Sequence, residues 1–216
     1  MSIKHHPDDS TLMSYAAGSL AEELSAVVAV HISMCALCAG EVKTMERIGV
    51  ALFERLDDMP IDRAVPQMAL RAMEAEVDGA LAAIEEMGAD VPQPLRPLVG
   101  TRIDEIRWKR LGMGIWHLPL KLARAGEGDL RLLRVAAGQV MPDHGHGGAE
   151  LTLILSGSYR DQFGEYNRGD VADLDSDAEH RPIADPLAGC VCLIASEKRA
   201  RFKGLFGRIV QPFTRF

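Results

Sequence analysis

At 216 residues, with 47% hydrophobic and 25% charged side chains, the chain can bury the core of one or two domains and is too apolar to be disordered. No apolar run approaches the roughly 20 residues a membrane helix needs, and the opening MSIKHHPDDS lacks the basic start, apolar core and cleavage site of a secretory signal, so a cytoplasmic protein with no membrane role is expected. The net charge of −7 is concentrated at the front: six basic against fifteen acidic residues through Glu86 give −9, and eighteen against sixteen beyond it give +2, which disfavours direct nucleic-acid binding and favours a basic protein partner.

Leu12–Ala17 suits a short first helix. Ser19-Leu20-Ala21-Glu22 has capping-box spacing, so a second helix is expected to start there. Leu20, Leu24, Val27, Val28, His31 and Cys35 then recur at steps of three and four, which places His31 and Cys35 on one helical face. Val42, Met45, Ile48 and Leu52 draw a third stripe that stops before Asp57-Asp58-Met59-Pro60, and Pro66, Met73, Val77, Leu81 and Ile84 outline a fourth helix. Met34, Met45, Met68 and Met73 fall on these helices as flexible core fillers.

Pro92, Pro94 and Pro97 prevent a continuous helix and predict an extended linker over residues 88–98. After it come short β-like runs, Leu130–Ala136, Leu151–Leu155, Val171–Leu174 and Cys190–Ala195, separated by turn residues, a pattern of sandwiches and barrels. Leu205–Phe213 reads as a barrel edge or terminal strand. The expected organisation is a helical domain over residues 1–87, the proline-rich linker, and an all-β domain over residues 99–216.

Four cysteines in two close pairs suit metal or redox chemistry in a reducing compartment better than a disulfide scaffold. In His31-x3-Cys35-x2-Cys38 the first two project from one helical turn and the next turn brings a second thiolate to the same ion. Zinc asks for a fourth nitrogen or sulfur donor. The pair His5-His6 is the obvious source, and spacing does not choose between them. A buried histidine beside two core cysteines is the blander reading. A redox dithiol is a third, set aside because no thioredoxin-like βαβ pattern surrounds the pair.

This arrangement resembles the zinc-binding anti-sigma factors, in which one histidine precedes a helix-borne His-x3-Cys-x2-Cys; Ile3-Lys4-His5-His6 and Ala16-Ala17-Gly18-Ser19-Leu20 look like the ChrR branch in particular. The resemblance implies that His6 is the fourth ligand beside His31, Cys35 and Cys38. It also implies a small helical bundle that wraps an extracytoplasmic-function sigma factor, one to one, and blocks its contacts with core RNA polymerase.

Gly138-x5-His144-x-His146-x3-Glu150-x6-Gly157 is the second constellation. Alternation puts His144 and His146 on one face of a strand, Glu150 enters from the next strand, and His180 completes a site suited to zinc, iron or manganese. The glycine-to-glycine spacing is similar to the first cupin motif, implying a small β-barrel or jelly roll with metal in its interior. Arg168-Gly169-Asp170 followed by His180 resembles the second motif without its proline-glycine pair. His117 lacks metal spacing and is expected to be a hydrogen-bonded barrel histidine, and Glu179 a surface residue. Cys190 and Cys192 share one strand face, either packing or supporting a sensor; neighbours on one strand rarely close a disulfide.

The resemblance to ChrR-type proteins runs from the first histidines to Val210-Gln211-Pro212-Phe213. It implies a non-enzymatic regulator: a zinc module that sequesters the sigma factor and a cupin that receives singlet oxygen or an organic peroxide and weakens the grip. The alternative is a cupin metalloenzyme, oxygenase or isomerase-like, with an amino-terminal zinc interaction module.

Overall fold

The computed structural model describes residues 2–57, 89–122, 128–145 and 147–198, with the backbone alone at 201–202. Helix α1 (Asp9–Ala16) buries Leu12, and helix α2 (Glu22–Met34) buries the expected stripe of Leu24, Val27, Val28 and His31. Extended backbone at Cys35 ends α2 and opens α3 (Ala36–Phe53), so the chain turns by 119° between two helices that both reach the same point with a ligand-type side chain. No single described helix is long and apolar enough to cross a membrane.

The start of α2 differs from the capping-box reading. The helix begins at Glu22 without a side-chain cap, and the Ser19 hydroxyl donates instead to the Ser14 carbonyl at 3.2 Å, closing the end of α1. A serine between two helices faces free carbonyls on one side and free N–H groups on the other, and backbone direction decides which it meets. The stripe on α3 is covered only in its first half. Cys38 and Val42 are buried, whereas Ile48, Leu52 and Phe53 are 57%, 58% and 74% exposed. The fourth helix expected over Pro66–Ile84, with Met68 and Met73, lies outside the described residues, as does Leu205–Phe213.

The proline segment is not extended. Gln93–Leu95 makes a 3-10 turn and α4 (Arg96–Val99) continues from it, with Pro94 and Pro97 at the opening positions where a missing N–H leaves no bond unmade. Val91 and Leu95 are buried in the same core as α2, so this segment packs between the two halves and does not float between them.

Strands β1 (Lys109–Gly112), β2 (Ile115–Pro119), β3 (Asp129–Val135), β4 (His144–Gly145), β5 (Glu150–Arg160), β6 (Glu165–Asn167), β7 (Val171–Leu174), β8 (Glu179–His180), β9 (Ile183–Ala184), β10 (Cys190–Ser196) and β11 (Arg201–Phe202) follow. The main sheet runs β1-β2-β3-β10-β5-β6, with β7 and β9 also along β5, and a smaller one runs β11-β4-β8. The four β-like runs of the sequence are β3, β5, β7 and β10.

Alternation explains why those runs are apolar throughout. On β10, Val191, Leu193 and Ala195 face outward to a core shared with α2, while Cys190 and Cys192 face the barrel interior with Leu133, Val135 and Ile154. A helix covers the outer face, so both faces of the strand are buried. At Gly157, with φ 71°, β5 changes direction so closely over β10 that a Cβ would collide with the Gly189 carbonyl. The chain is thus an α plus all-β protein whose helices and β-barrel share one apolar core.

Candidate metal centres

The first cluster gathers residues from three places. His6 precedes α1, His31 comes from the last turn of α2, Cys35 from the corner and Cys38 from the first turn of α3; their donor atoms all lie within 4.8 Å of one another. His31 Nε2 is 3.3 Å from Cys38 Sγ, and His6 Nδ1 is 3.3 Å from Cys38 Sγ and 3.5 Å from Cys35 Sγ. Zinc at its usual distances from nitrogen and sulfur in a tetrahedron gives nitrogen–sulfur edges of about 3.5 Å, so the donors already stand at the separations such an ion requires. His5 does not join them: its ring leans on Tyr166, with centroids 4.6 Å apart.

Electrostatics point the same way. Burial lowers the His31 pKa to about 4, against the Gly169 carbonyl that favours its charge and with the nearby His6 that opposes it. His31 is therefore neutral at pH 7 and offers a lone pair without competition from a proton. Burial, then the neighbouring Cys35 and its hydrogen bond, push the Cys38 thiol up to about 12. Without a cation this pocket does not support thiolates. With one it does, and the cation takes the place of a proton.

The second cluster lies inside the barrel. His144 on β4, Glu150 at the start of β5 and His180 on β8 are all buried, with donor atoms within 4.8 Å of one another. His144 Nδ1 lies 2.9 Å from the Pro142 carbonyl, which can only accept, and His180 Nδ1 lies 2.9 Å from Asp161 Oδ2. Both Nε2 atoms consequently face inward, 3.1 Å apart. That separation falls between the nitrogen–nitrogen edges of about 2.9 Å and about 3.3 Å that octahedral and tetrahedral sites demand. A cation seated between them would accept a lone pair from each Nε2. His146 lies outside the described residues.

Asp161 at the end of β5 is a residue the sequence reading missed. Its burial opposes charge, but the hydrogen bond from His180 and the N–H groups of Phe163 and Gly164 outweigh that and hold its carboxyl below the ordinary range. It fixes the His180 tautomer as carboxylates do beside metal-binding histidines. Its one sequence signal is the tight Asp161-Gln162-Phe163-Gly164 turn. Tyr159 was missed as well; its buried hydroxyl has no hydrogen-bond partner among the described residues and lines the same cavity of about 60 Å³.

Cys190 and Cys192 both line that cavity, as a shared strand face requires. A hydrogen bond that its S–H donates to Cys190, then burial, pushes the Cys192 thiol well above the ordinary range, so it is held protonated. His117 on β2 contacts Arg131 at 3.2 Å, and Glu179 is exposed.

Residues 97–200 match the family described as the ChrR cupin-like domain. Over 218 aligned positions, covering all of both proteins, the chain is 37% identical to the anti-sigma-E factor ChrR of Cereibacter sphaeroides. It is also similar to the solved structure of Rhodobacter sphaeroides SigE in complex with the anti-sigma ChrR, with a TM-score of 0.73 and 36% identity over 90% of this chain and 100% of that one.

Proposed function

The chain belongs to the family of ChrR-type anti-sigma factors, and we propose that it binds an extracytoplasmic-function sigma factor one to one, in the cytoplasm, and keeps it from core RNA polymerase until an oxidative signal reaches the cupin. Full-length similarity to an anti-sigma factor carries this reading. The exposed apolar end of α3, with Ile48, Leu52, Phe53 and Leu56, supplies the kind of surface that a partner covers.

The labour divides along the chain. Residues 1–87 form the sigma-binding module, in which His6, His31, Cys35 and Cys38 hold a structural zinc that ties the segment before α1 to the corner between α2 and α3. Residues 88–98 are the packed spacer. Residues 99–216 are the sensor, in which His144, His146, Glu150 and His180 hold zinc or another divalent transition metal, and Cys190 and Cys192 stand beside it as sensory or supporting thiols. Singlet oxygen or an organic peroxide is the proposed signal. A cavity of about 60 Å³ with mostly apolar walls admits only a few heavy atoms, which suits a small oxidant and speaks against turnover of a large substrate by a cupin enzyme.

The test is run-off transcription with core polymerase and the extracytoplasmic-function sigma factors of the same organism. Inhibition that saturates near equimolar chain is expected. No inhibition by folded, metal-loaded protein would sink the proposal and turn attention to oxygen-dependent substrates of the cupin.

A further inference from the structure

One turn of the barrel reaches into the amino-terminal cluster. Between β6 and β7, the Gly169 carbonyl faces His31 Nδ1 at 3.0 Å, across 138 residues of sequence. Asp170 Oδ1 accepts the backbone N–H of Lys4 at 2.6 Å and of His5 at 3.1 Å, and Oδ2 accepts the N–H of Asn167 at 2.8 Å. The Val171 N–H donates to the His5 carbonyl at 3.1 Å. Asp170 is 1% exposed, so its charge is stabilised by these bonds and not by water.

Each contact bears on a ligand. A carbonyl only accepts, so Gly169 keeps the proton of His31 on Nδ1 and turns the Nε2 lone pair toward Cys38. Asp170 and Val171 fix the backbone of residues 4 and 5, and thereby the start of His6. Gly169 adopts φ 91°, and a Cβ there would lie 2.8 Å from the Ile3 side chain, so any other residue would strain the turn and displace Ile3. The turn is itself bonded to β5: the Gly169 N–H donates to the Ile154 carbonyl at 2.8 Å and the Ile154 N–H to the Asp170 carbonyl at 3.0 Å.

We propose that this cupin turn is the outer shell of the amino-terminal metal site, with Gly169 and Asp170 as positioning residues for His31 and His6, so that the barrel sets part of the helical module's affinity for its metal. The inference rests on the reading of His6, His31, Cys35 and Cys38 as ligands. Outer-shell partners that orient ligating histidines are commonly worth about 10–100-fold in metal affinity.

The full chain loaded with Co²⁺ tests it, in a Cys190→Ala, Cys192→Ala background that leaves Cys35 and Cys38 as the only thiols. The near-ultraviolet thiolate-to-cobalt charge-transfer band then reports this site alone, and EDTA competition measures affinity. Asp170→Ala is expected to weaken binding about 10–100-fold. Lys4→Pro, which removes the Lys4 N–H from the other side and leaves the barrel turn untouched, is expected to weaken it in the same direction. Asp173→Ala loses the Asp8 N–H and Thr11 hydroxyl contacts of the same interface and is expected to change affinity less than about threefold. Wild-type affinity in both Asp170→Ala and Lys4→Pro would overturn the proposal, as would an equal loss in Asp173→Ala, which would mark a general loosening. Absence of the charge-transfer band in the parent chain would instead remove the ligand assignment, and the proposal with it.

Discussion

His31 and Cys38 set opposite edges of a pH window. In the metal-free chain the unfolded His31 takes its proton near 6.5 and the folded one only near 4, so the unfolded state binds more protons as pH falls between them. That contribution is complete above about 6.5 and is lost on the way down to 4. Cys38 behaves in reverse: its ordinary value is 9.0 and its folded value about 12, so its contribution is complete below 9 and is lost as pH rises. Urea midpoints of the metal-free protein should therefore plateau between about pH 6.5 and 9 and fall on both sides. Zinc should remove the Cys38 share of the alkaline fall, because the bound thiol has already lost its proton, and leave the share of the raised Cys192 thiol; in a Cys192→Ala variant, an alkaline fall of the same size with and without zinc would show that Cys38 is not a ligand. Cys35→Ala or Cys38→Ala should lose the metal, destabilise the helical module against urea and release the sigma factor without a signal. Full repression by a zinc-free variant would contradict this.

At the level of elements, α3 presents its apolar end to solvent while α2 is covered on both sides. Phe53→Asp with Leu56→Asp should weaken inhibition of the sigma factor by tenfold or more, about 1.4 kcal/mol, because a buried charge in an apolar contact finds no partner. The melting temperature should hardly move, since these side chains are 74% and 67% exposed. A large fall in melting temperature would place them in the core. Leu95→Ala should behave oppositely, costing about 2–5 kcal/mol of stability in chemical denaturation, since Leu95 fills the space between spacer and α2. Helix α2 and strands β3, β5, β7 and β10 were legible in the sequence because their apolar spacing repeats at 3.6 or fills both faces. The spacer was not, because the same three prolines are compatible with an extended chain and with successive helix starts. Ser19 misled for a related reason: its local sequence fits a helix start and a helix end alike.

Across the whole molecule, the candidate clusters were readable where donors sit close in sequence, as in His31 to Cys38 and His144 to Glu150. What lay beyond reading were the partners that orient them, because Gly169 and Asp161 meet their histidines through tertiary contacts that no spacing announces. The two sites should separate by phenotype. His144→Ala or Glu150→Ala should leave basal inhibition in the transcription assay intact and blunt its relief by singlet oxygen or organic peroxide; loss of basal inhibition would show that the barrel site is needed for grip as well as for release.

The bond between Lys4 and Asp170 spans 166 residues, and this fixes an order of events during synthesis. A ribosome adding roughly 5–20 residues per second needs about ten to thirty seconds to travel that distance. Throughout that interval the nascent amino terminus has its four donor side chains but not the turn that braces them. On the proposed ligand set, the newly made chain would acquire its metal grip in two stages, and a transcript cut short before residue 170 would yield a product that holds zinc loosely.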